Sequence, residues 1–335
     1  MGLFRMTGFC ALAAVALAKP ALAEDVVLRY SAWLPPTYFM HERGLYPYFA
    51  DIERVTEGRV RVEISSAPLG PAPRNYQLVL DGISDITWSL HGYTPGTFPM
   101  SEMVELPFHS TDAAADSVAY WRVFQEFFEP AGMHPGMHTL AVHTHVPGQV
   151  FNSVRPIDAL EDFAGLRIRS TNSAVSTSLE RLGATPIGIP VPEMRQALER
   201  GIVDGVTLTD EALYNFQIAD FVRYGLVTPG GLYNASFFIV VNDEKWSTIS
   251  EQDRAAITAI SGEVLARRMG EVWQQEQDSA TARVVADGIA LNPAEGALLD
   301  QMHSALAGLE PDWVERVGAL GVDAVAALAA YHDRD

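Results

Sequence analysis

The sequence predicts an α/β protein in two lobes, tied together by a long helix that spans both. Three observations carry that reading. Strand-like and helix-like segments alternate along the chain, and the alternation runs twice. The 335 residues exceed the ~250–300 at which a single core stops growing. From Ser250 an almost unbroken run of helix formers continues to Ala286.

The first 23 residues stand apart from this pattern. Arg5 supplies a positive start, residues 6–17 an apolar stretch too short to span a bilayer, and Ala21-Leu22-Ala23 a small-residue cleavage site before Glu24. They read as a secretory signal peptide, which places the remainder outside the cytoplasm. The sole cysteine, Cys10, lies inside it. The exported chain is therefore expected to have no disulfide and to be held by its core, for which 48% hydrophobic residues suffice.

The elements follow in order. Residues 25–34, DVVLRYSAWL, read as a strand, Pro35-Pro36 as a break, 41–56 as an amphipathic helix, 59–70 as an alternating strand, 75–82 as a helix and 84–90, SDITWSL, as a buried strand. After Gln149 the pattern restarts, with strands at 165–169, 185–189 and 203–208 separated by helices at 174–183 and 192–201. Strand–helix–strand units of this kind favour a largely parallel sheet. SFFIVVN, 236–242, is a further buried strand. Residues 250–286 carry a start signal at Ser250-Glu251-Gln252-Asp253 and a stop at Asp287-Gly288, giving one helix of about 37 residues and ~55 Å, kinked near Gln274. The expected division is residues 24–146 with 236–275 in one lobe, and 147–235 with 276–335 in the other.

Charge narrows the partners. The formal charge is −19, and removing Arg5 and Lys19, the only charged residues among the first 23, takes it to −21. Nucleic acid and anionic membrane surfaces are poor partners for such a chain. No stretch after the signal peptide approaches ~18 uncharged apolar residues, so no membrane span is expected in the exported protein. There is no Gly-x-Ser-x-Gly elbow, Gly-rich phosphate loop or His-Glu-x-x-His helix. Among the nine histidines, His134 and His138 have zinc-like spacing, but Pro135 and Gly136 oppose the helix that would bring both rings to one face. His143 and His145 share a face at strand period. Neither metal nor cofactor is expected.

The stretch 155–205, RPIDALEDFAGLRIRSTNSAVSTSLERLGATPIGIPVPEMRQALERGIVDG, closely resembles the solute-binding proteins of tripartite ATP-independent periplasmic (TRAP) transporters. The likeness rests on Arg167-Ile168-Arg169, the LGATP turn at 182–186, the Gly-x-Val-Asp-Gly run at 201–205 and the later SFFIVVNDEKWSTIS, and it extends upstream through VLDGISDITWSLHGYTPGTFPMSEMVELPF. The resemblance implies the two-lobed periplasmic binding protein fold with a ligand cleft between the lobes. It also implies a monomeric receptor that closes around a small organic acid and delivers it to a sodium-coupled membrane permease. It assigns Arg169 as the carboxylate clamp, a role suited to a guanidinium that offers two parallel donors and stays charged. Arg167 is read as an ordinary ion-pair residue and Asp204 as a structural turn acid.

Two departures from the family pattern shape the expected pocket. Counting six positions back from Arg155, where many members carry a second arginine, gives Gln149, and the stretch after Asp204-Gly205 reaches Leu208 without the usual asparagine. The residues expected near the cleft are aromatic: Trp33, Tyr38, Trp88, Tyr93, Phe151, Tyr233 and Phe237. His145, or else His143, stands in for the missing arginine as a pH-sensitive hydrogen-bond partner. A charge-assisted hydrogen bond contributes about 1.5–3 kcal/mol, whereas micromolar affinity needs about 8 kcal/mol. Burying an aromatic face of ~150–250 Å² adds roughly 4–6 kcal/mol. The expected ligand is thus a largely apolar, benzoate-like monocarboxylate. A C4-dicarboxylate, a keto or hydroxy acid and a sugar acid remain alternatives within the family, and a periplasmic enzyme acting on a carboxylate is the alternative outside it.

Overall fold

A computed structural model describes residues 25–333; the signal-peptide reading of residues 1–23 lies outside them. Eleven strands form two sheets among the described residues. The first contains β1 (Val26–Tyr30), β2 (Val60–Ile64), β3 (Ile86–Leu90), β4 (Met137–Thr144) and, from later in the chain, β10 (Ser236–Asn242), in the order β2-β1-β3-β10-β4. The second contains β5 (Gln149–Asn152), β6 (Arg167–Ser170), β7 (Thr185–Gly188), β8 (Gly205–Leu208), β9 (Tyr224–Val227) and β11 (Ala290–Pro293), in the order β11-β9-β5-β8-β6-β7. Each sheet is parallel except for one strand that runs against its neighbours, β10 in the first and β5 in the second.

Those two odd strands exist because the chain changes lobes beside them. It leaves the first lobe after β4 to enter β5, and returns from β9 to β10. The crossings pair with each other: Gly148 N–H donates to Tyr233 O at 2.8 Å and Leu232 N–H to Gly148 O at 2.9 Å. A Cβ on Gly148 would lie 2.1 Å from the Tyr233 ring, so the crossing requires glycine there.

The third connection is helical, and it departs from expectation. Residues 250–286 form two helices, Glu251–Ala259 and Gly262–Ala286. Gly262 takes φ +61° against the Trp121 indole, and the Ser261 hydroxyl is bonded to the Tyr48 hydroxyl at 2.7 Å. Tertiary contacts thus break a run that local propensity favours. The second helix has 25 residues, or about 37 Å, and passes Gln274 unbroken. It packs on helix Ala113–Val123 and β4 of the first lobe and on helix Asp210–Asn215 of the second. Gly270 sets its approach, since a Cβ there would lie 2.3 Å from Ala113 O and 2.5 Å from Ala114 Cα. Gly270→Ala is expected to lower the melting temperature by several degrees in a thermal scan, because backbone atoms cannot swing aside and overpacking costs about 1–3 kcal/mol.

Two further expectations change. The helix predicted at 41–56 starts as a π-helical turn, Met40–Leu45, and becomes α-helical only at Tyr46–Val55, where Pro47 withholds a backbone donor. The C-terminal segment divides between the lobes instead of belonging to the second. Helix Gly296–Leu306 meets helix Ser173–Arg181, but Leu309–Gly318 and Ala324–His332 lie on the first lobe. Trp313 Nε1 donates to Pro99 O at 3.0 Å and Arg316 pairs with Glu102 at 2.6 Å. No helix among the described residues is long and apolar enough to cross a membrane.

Candidate functional site

Arg169 lies near the carboxyl end of β6, beside β8, at the edge of the second sheet that faces the first lobe. Strand parity would put Arg167 and Arg169 on one face, yet their surroundings differ. Arg167 is exposed and forms a two-bond pair with Asp204 at 2.6 and 3.0 Å. Arg169 is wholly buried. Its Nε donates to Ile189 O at 2.8 Å, and Nη1 to Thr171 Oγ1 at 2.9 Å and Thr207 O at 3.2 Å. Nη2 is buried with no partner among the described residues. None of these acceptors is an acid. Burial lowers the guanidinium from its ordinary value, with Tyr93 and Tyr233 acting in the opposite sense, but arginine stays protonated in proteins. A buried cation without an anion is costly, so the geometry calls for an anion from outside.

The space in front of Arg169 is a cavity of about 40 Å³ between the lobes. Its walls are mostly rings. Trp33 stacks on Trp88 with centroids 5.2 Å apart and donates its Nε1 to Trp88 O at 2.7 Å. Trp88 stacks on Phe237 at 5.4 Å, Phe237 meets Trp273 at 5.5 Å, and His145 closes the circuit against Tyr233 at 5.4 Å and Trp273 at 5.8 Å. Trp273 Nε1 is another buried donor without a partner among the described residues. Tyr38 reaches across from the first lobe to Phe216 of the second, with ring centroids 5.7 Å apart. Such contacts mark the lobes as closed on each other. So do Val191 N–H donating to the Tyr93 hydroxyl at 3.2 Å and the approach of Gly92 to Asn172.

Of the side chains the sequence pointed to, Arg169, Trp33, Tyr38, Trp88, His145, Leu208, Tyr233 and Phe237 line this cavity. Three do not. Gln149 is tied to Thr228, whose N–H donates to Oε1 at 2.7 Å and whose carbonyl accepts from Nε2 at 3.3 Å. Phe151 points from the middle of its sheet into the second lobe's core, with Met194, Leu198 and Leu213. Tyr93 stands behind Trp33, edge to face at 5.5 Å. The pH-sensitive role expected for His145 is also corrected. Burial and the Arg169 charge lower it to about 4, so it is neutral near pH 7. Its Nδ1–H donates to Val146 O, which leaves Nε2 as an acceptor.

His143, His134 and His138 have structural partners instead. His143 accepts from Trp88 Nε1 at 2.9 Å beneath the cavity wall, His134 bonds His91 at 2.8 Å, and His138 stacks on Trp246. Among the described residues no three His, Cys, Asp or Glu side chains converge as a metal ion would require.

Sequence reasoning missed Thr171, Thr209, Glu211, Phe216 and Trp273, all of which line the cavity. Thr209 and Glu211 directly follow β8, at the strand end where α/β clefts form, and that position was the available signal. Trp273 gave none, being one residue of a long helix.

Three comparisons bear on this geometry. The family model described as bacterial extracellular solute-binding protein, family 7, matches residues 34–312. A crystal structure of a TRAP periplasmic solute-binding protein from Bordetella bronchiseptica, with bound (R)- and (S)-mandelate, superposes with a TM-score of 0.89 at 30% identity, covering 92% of this chain and 98% of that one. A TRAP solute-binding protein from Rhodoferax ferrireducens, in complex with copurified benzoate, gives 0.85 at 26% identity over 92% and 97%. Among curated proteins, the outer membrane transporter protein TsaT of Comamonas testosteroni is 27% identical over 320 residues, 94% of each chain.

Proposed function

Because this chain belongs to the bacterial extracellular solute-binding proteins of family 7, the receptors of TRAP transporters, we propose that it binds a single-ring aromatic monocarboxylate in the periplasm and hands it unchanged to a sodium-coupled permease. One observation carries the choice of ligand: Arg169, whose buried Nη2 has no partner among the described residues, lines a cavity walled by Trp33, Trp88, Phe237 and Trp273. The carboxylate supplies the missing anion, and the ring supplies the apolar area that one clamp cannot replace. Structural neighbours at 30% and 26% identity hold mandelate and benzoate, which supports an aromatic acid here. Gln149, the position expected to substitute for a second arginine, is occupied with Thr228, and this favours a monocarboxylate over a dicarboxylate. Binding acts as a closure equilibrium, since a ligand touched by both lobes favours the closed form by its differential affinity.

A thermal-shift screen of residues 24–335 against benzoate, hydroxybenzoates, mandelate, C4-dicarboxylates and uronates tests the proposal. A ligand at ~100 times its Kd adds about 2.7 kcal/mol, and the expected shifts fall among the aromatic acids. Shifts confined to dicarboxylates or uronates would sink it.

A further inference from the structure

Among the described residues one carboxylic acid lines the cavity, and no cation bonds to it. Glu211, in the first turn of helix Asp210–Asn215, is 1% exposed and lines the cavity together with Arg169. Its Oε1 accepts from Thr209 Oγ1 at 2.6 Å and its Oε2 from Asn215 Nδ2 at 2.9 Å. Both are neutral donors. Two of the charges around it are of its own sign. On its own helix Asp210 precedes it, bonded to Thr281 at 2.7 Å. From the long helix, Glu276 shares Asn215 with it at 3.5 Å, while Gln277 Oε1 accepts from the Asp210 and Glu211 backbone N–H groups. Arg43 is taken up by Glu276. Across the cavity stand the Tyr38 and Tyr233 phenols, whose ionisation burial opposes, the neutral His145, and Arg169.

We propose that Glu211 is a proton-linked specificity residue: the lobes close on a monoanionic acid with Glu211 protonated, so ligand binding takes up one proton at this carboxyl. The inference rests on the aromatic-acid reading of the same cavity. Its physical reason is charge balance. Ligand carboxylate and Arg169 neutralise each other, and an ionised Glu211 would add an uncompensated anion to a closed, ring-lined space. The uptake balances as ligand carboxylate plus Glu211 carboxylate plus one proton giving ligand carboxylate plus Glu211 carboxylic acid. A dicarboxylate would bring the second anion itself, and the cavity disfavours it for the same reason. Desolvation, reinforced by Glu276 and Asp210, moves Glu211 up to about 7 in the closed lobes, before a ligand anion adds to the opposition, which puts the transition within reach of ordinary buffers.

The sign follows from that position. Where Glu211 is already protonated before binding, affinity is at its full value; at higher pH each bound ligand must draw a proton from solution, and affinity falls by up to tenfold per pH unit. Calorimetric titration of residues 24–335 with benzoate and with 3-hydroxybenzoate, at pH 6, 7 and 8 in two buffers of different ionisation enthalpy, reads both quantities. The expected Kd is at least about tenfold weaker at pH 8 than at pH 6, with proton uptake close to one at pH 8. Glu211→Gln is expected to remove the uptake and the pH slope together. A wild-type Kd that stays flat with no proton exchange overturns the inference and leaves the aromatic reading standing. So does a slope that survives in Glu211→Gln. Absence of heat with both acids at every pH overturns the aromatic reading, and the inference with it. The buffer comparison on the wild type decides the matter even if the variant folds poorly.

Discussion

Replacing Arg169 by alanine is expected to weaken benzoate binding by roughly 100- to 1,000-fold in a calorimetric titration, while the unliganded protein melts within a few degrees of wild type. Truncating one partner of a buried charge pair costs about 2–5 kcal/mol, and here the partner left behind is the ligand carboxylate in an apolar cavity. The small stability effect has a separate cause. In the empty protein the guanidinium makes three hydrogen bonds, to Ile189 O, Thr171 Oγ1 and Thr207 O, which alanine forfeits. It is also an unneutralised buried cation whose removal relieves a desolvation penalty of several kcal/mol, and the two effects oppose each other. Arg169→Lys keeps the charge but not the planar fork, so an intermediate loss of binding is expected. A collapse of apo stability in Arg169→Ala would show that the residue holds the β6 end together and that its orphan nitrogen is incidental.

A valine at Gly92 is expected to cost about 10- to 100-fold in affinity without lowering the apo melting temperature. Gly92 sits in the turn after β3, and a Cβ there would lie 2.5 Å from Asn172 Cβ, on the other lobe. Asn172 cannot retreat freely, because its Oδ1 caps helix Ser173–Arg181 by accepting from Val175 N–H at 2.8 Å. An added side chain therefore wedges the lobes apart. The strain, about 1–3 kcal/mol by the usual cost of overpacking, is felt only in the closed form, so it appears in binding and not in folding. Small-angle scattering would show the variant compacting less than wild type with saturating benzoate. If it closes and binds like wild type, the Gly92–Asn172 approach does not limit closure.

Much of this architecture was legible in the sequence, and the lapses share a cause. Strands whose signal is local alternation or a buried apolar run, such as Val26–Tyr30, Ile86–Leu90 and Ser236–Asn242, lie where they were expected. Four-residue strands such as Tyr224–Val227 and Ala290–Pro293 are too short for a period to show. The helix break at Ser261-Gly262 was hidden because propensity sums over neighbours in sequence, whereas the break answers to Trp121 and Tyr48, far away along the chain. In the site, the place of Arg169 beside the cavity was legible from the residues around it. Its orphan Nη2 was not, since that depends on which carbonyls the folded loops bring to the other two nitrogens. Gln149 misled because matching a position along the chain does not fix where its amide points, and Thr228 captured it. Glu211 and Trp273 come to the cavity through the packing of helix Gly262–Ala286 across both lobes, which no single segment encodes.

The ring-lined cavity also has an optical consequence. Of the six tryptophans in the chain, Trp33, Trp88 and Trp273 line it, and Trp121, Trp246 and Trp313 do not. An acid seated against these stacked indoles changes their surroundings and so their emission. The distant three supply a constant background. The receptor therefore carries its own fluorophores at the point of contact, and ligand arrival and lobe closure can be followed by stopped-flow emission on the unlabelled protein.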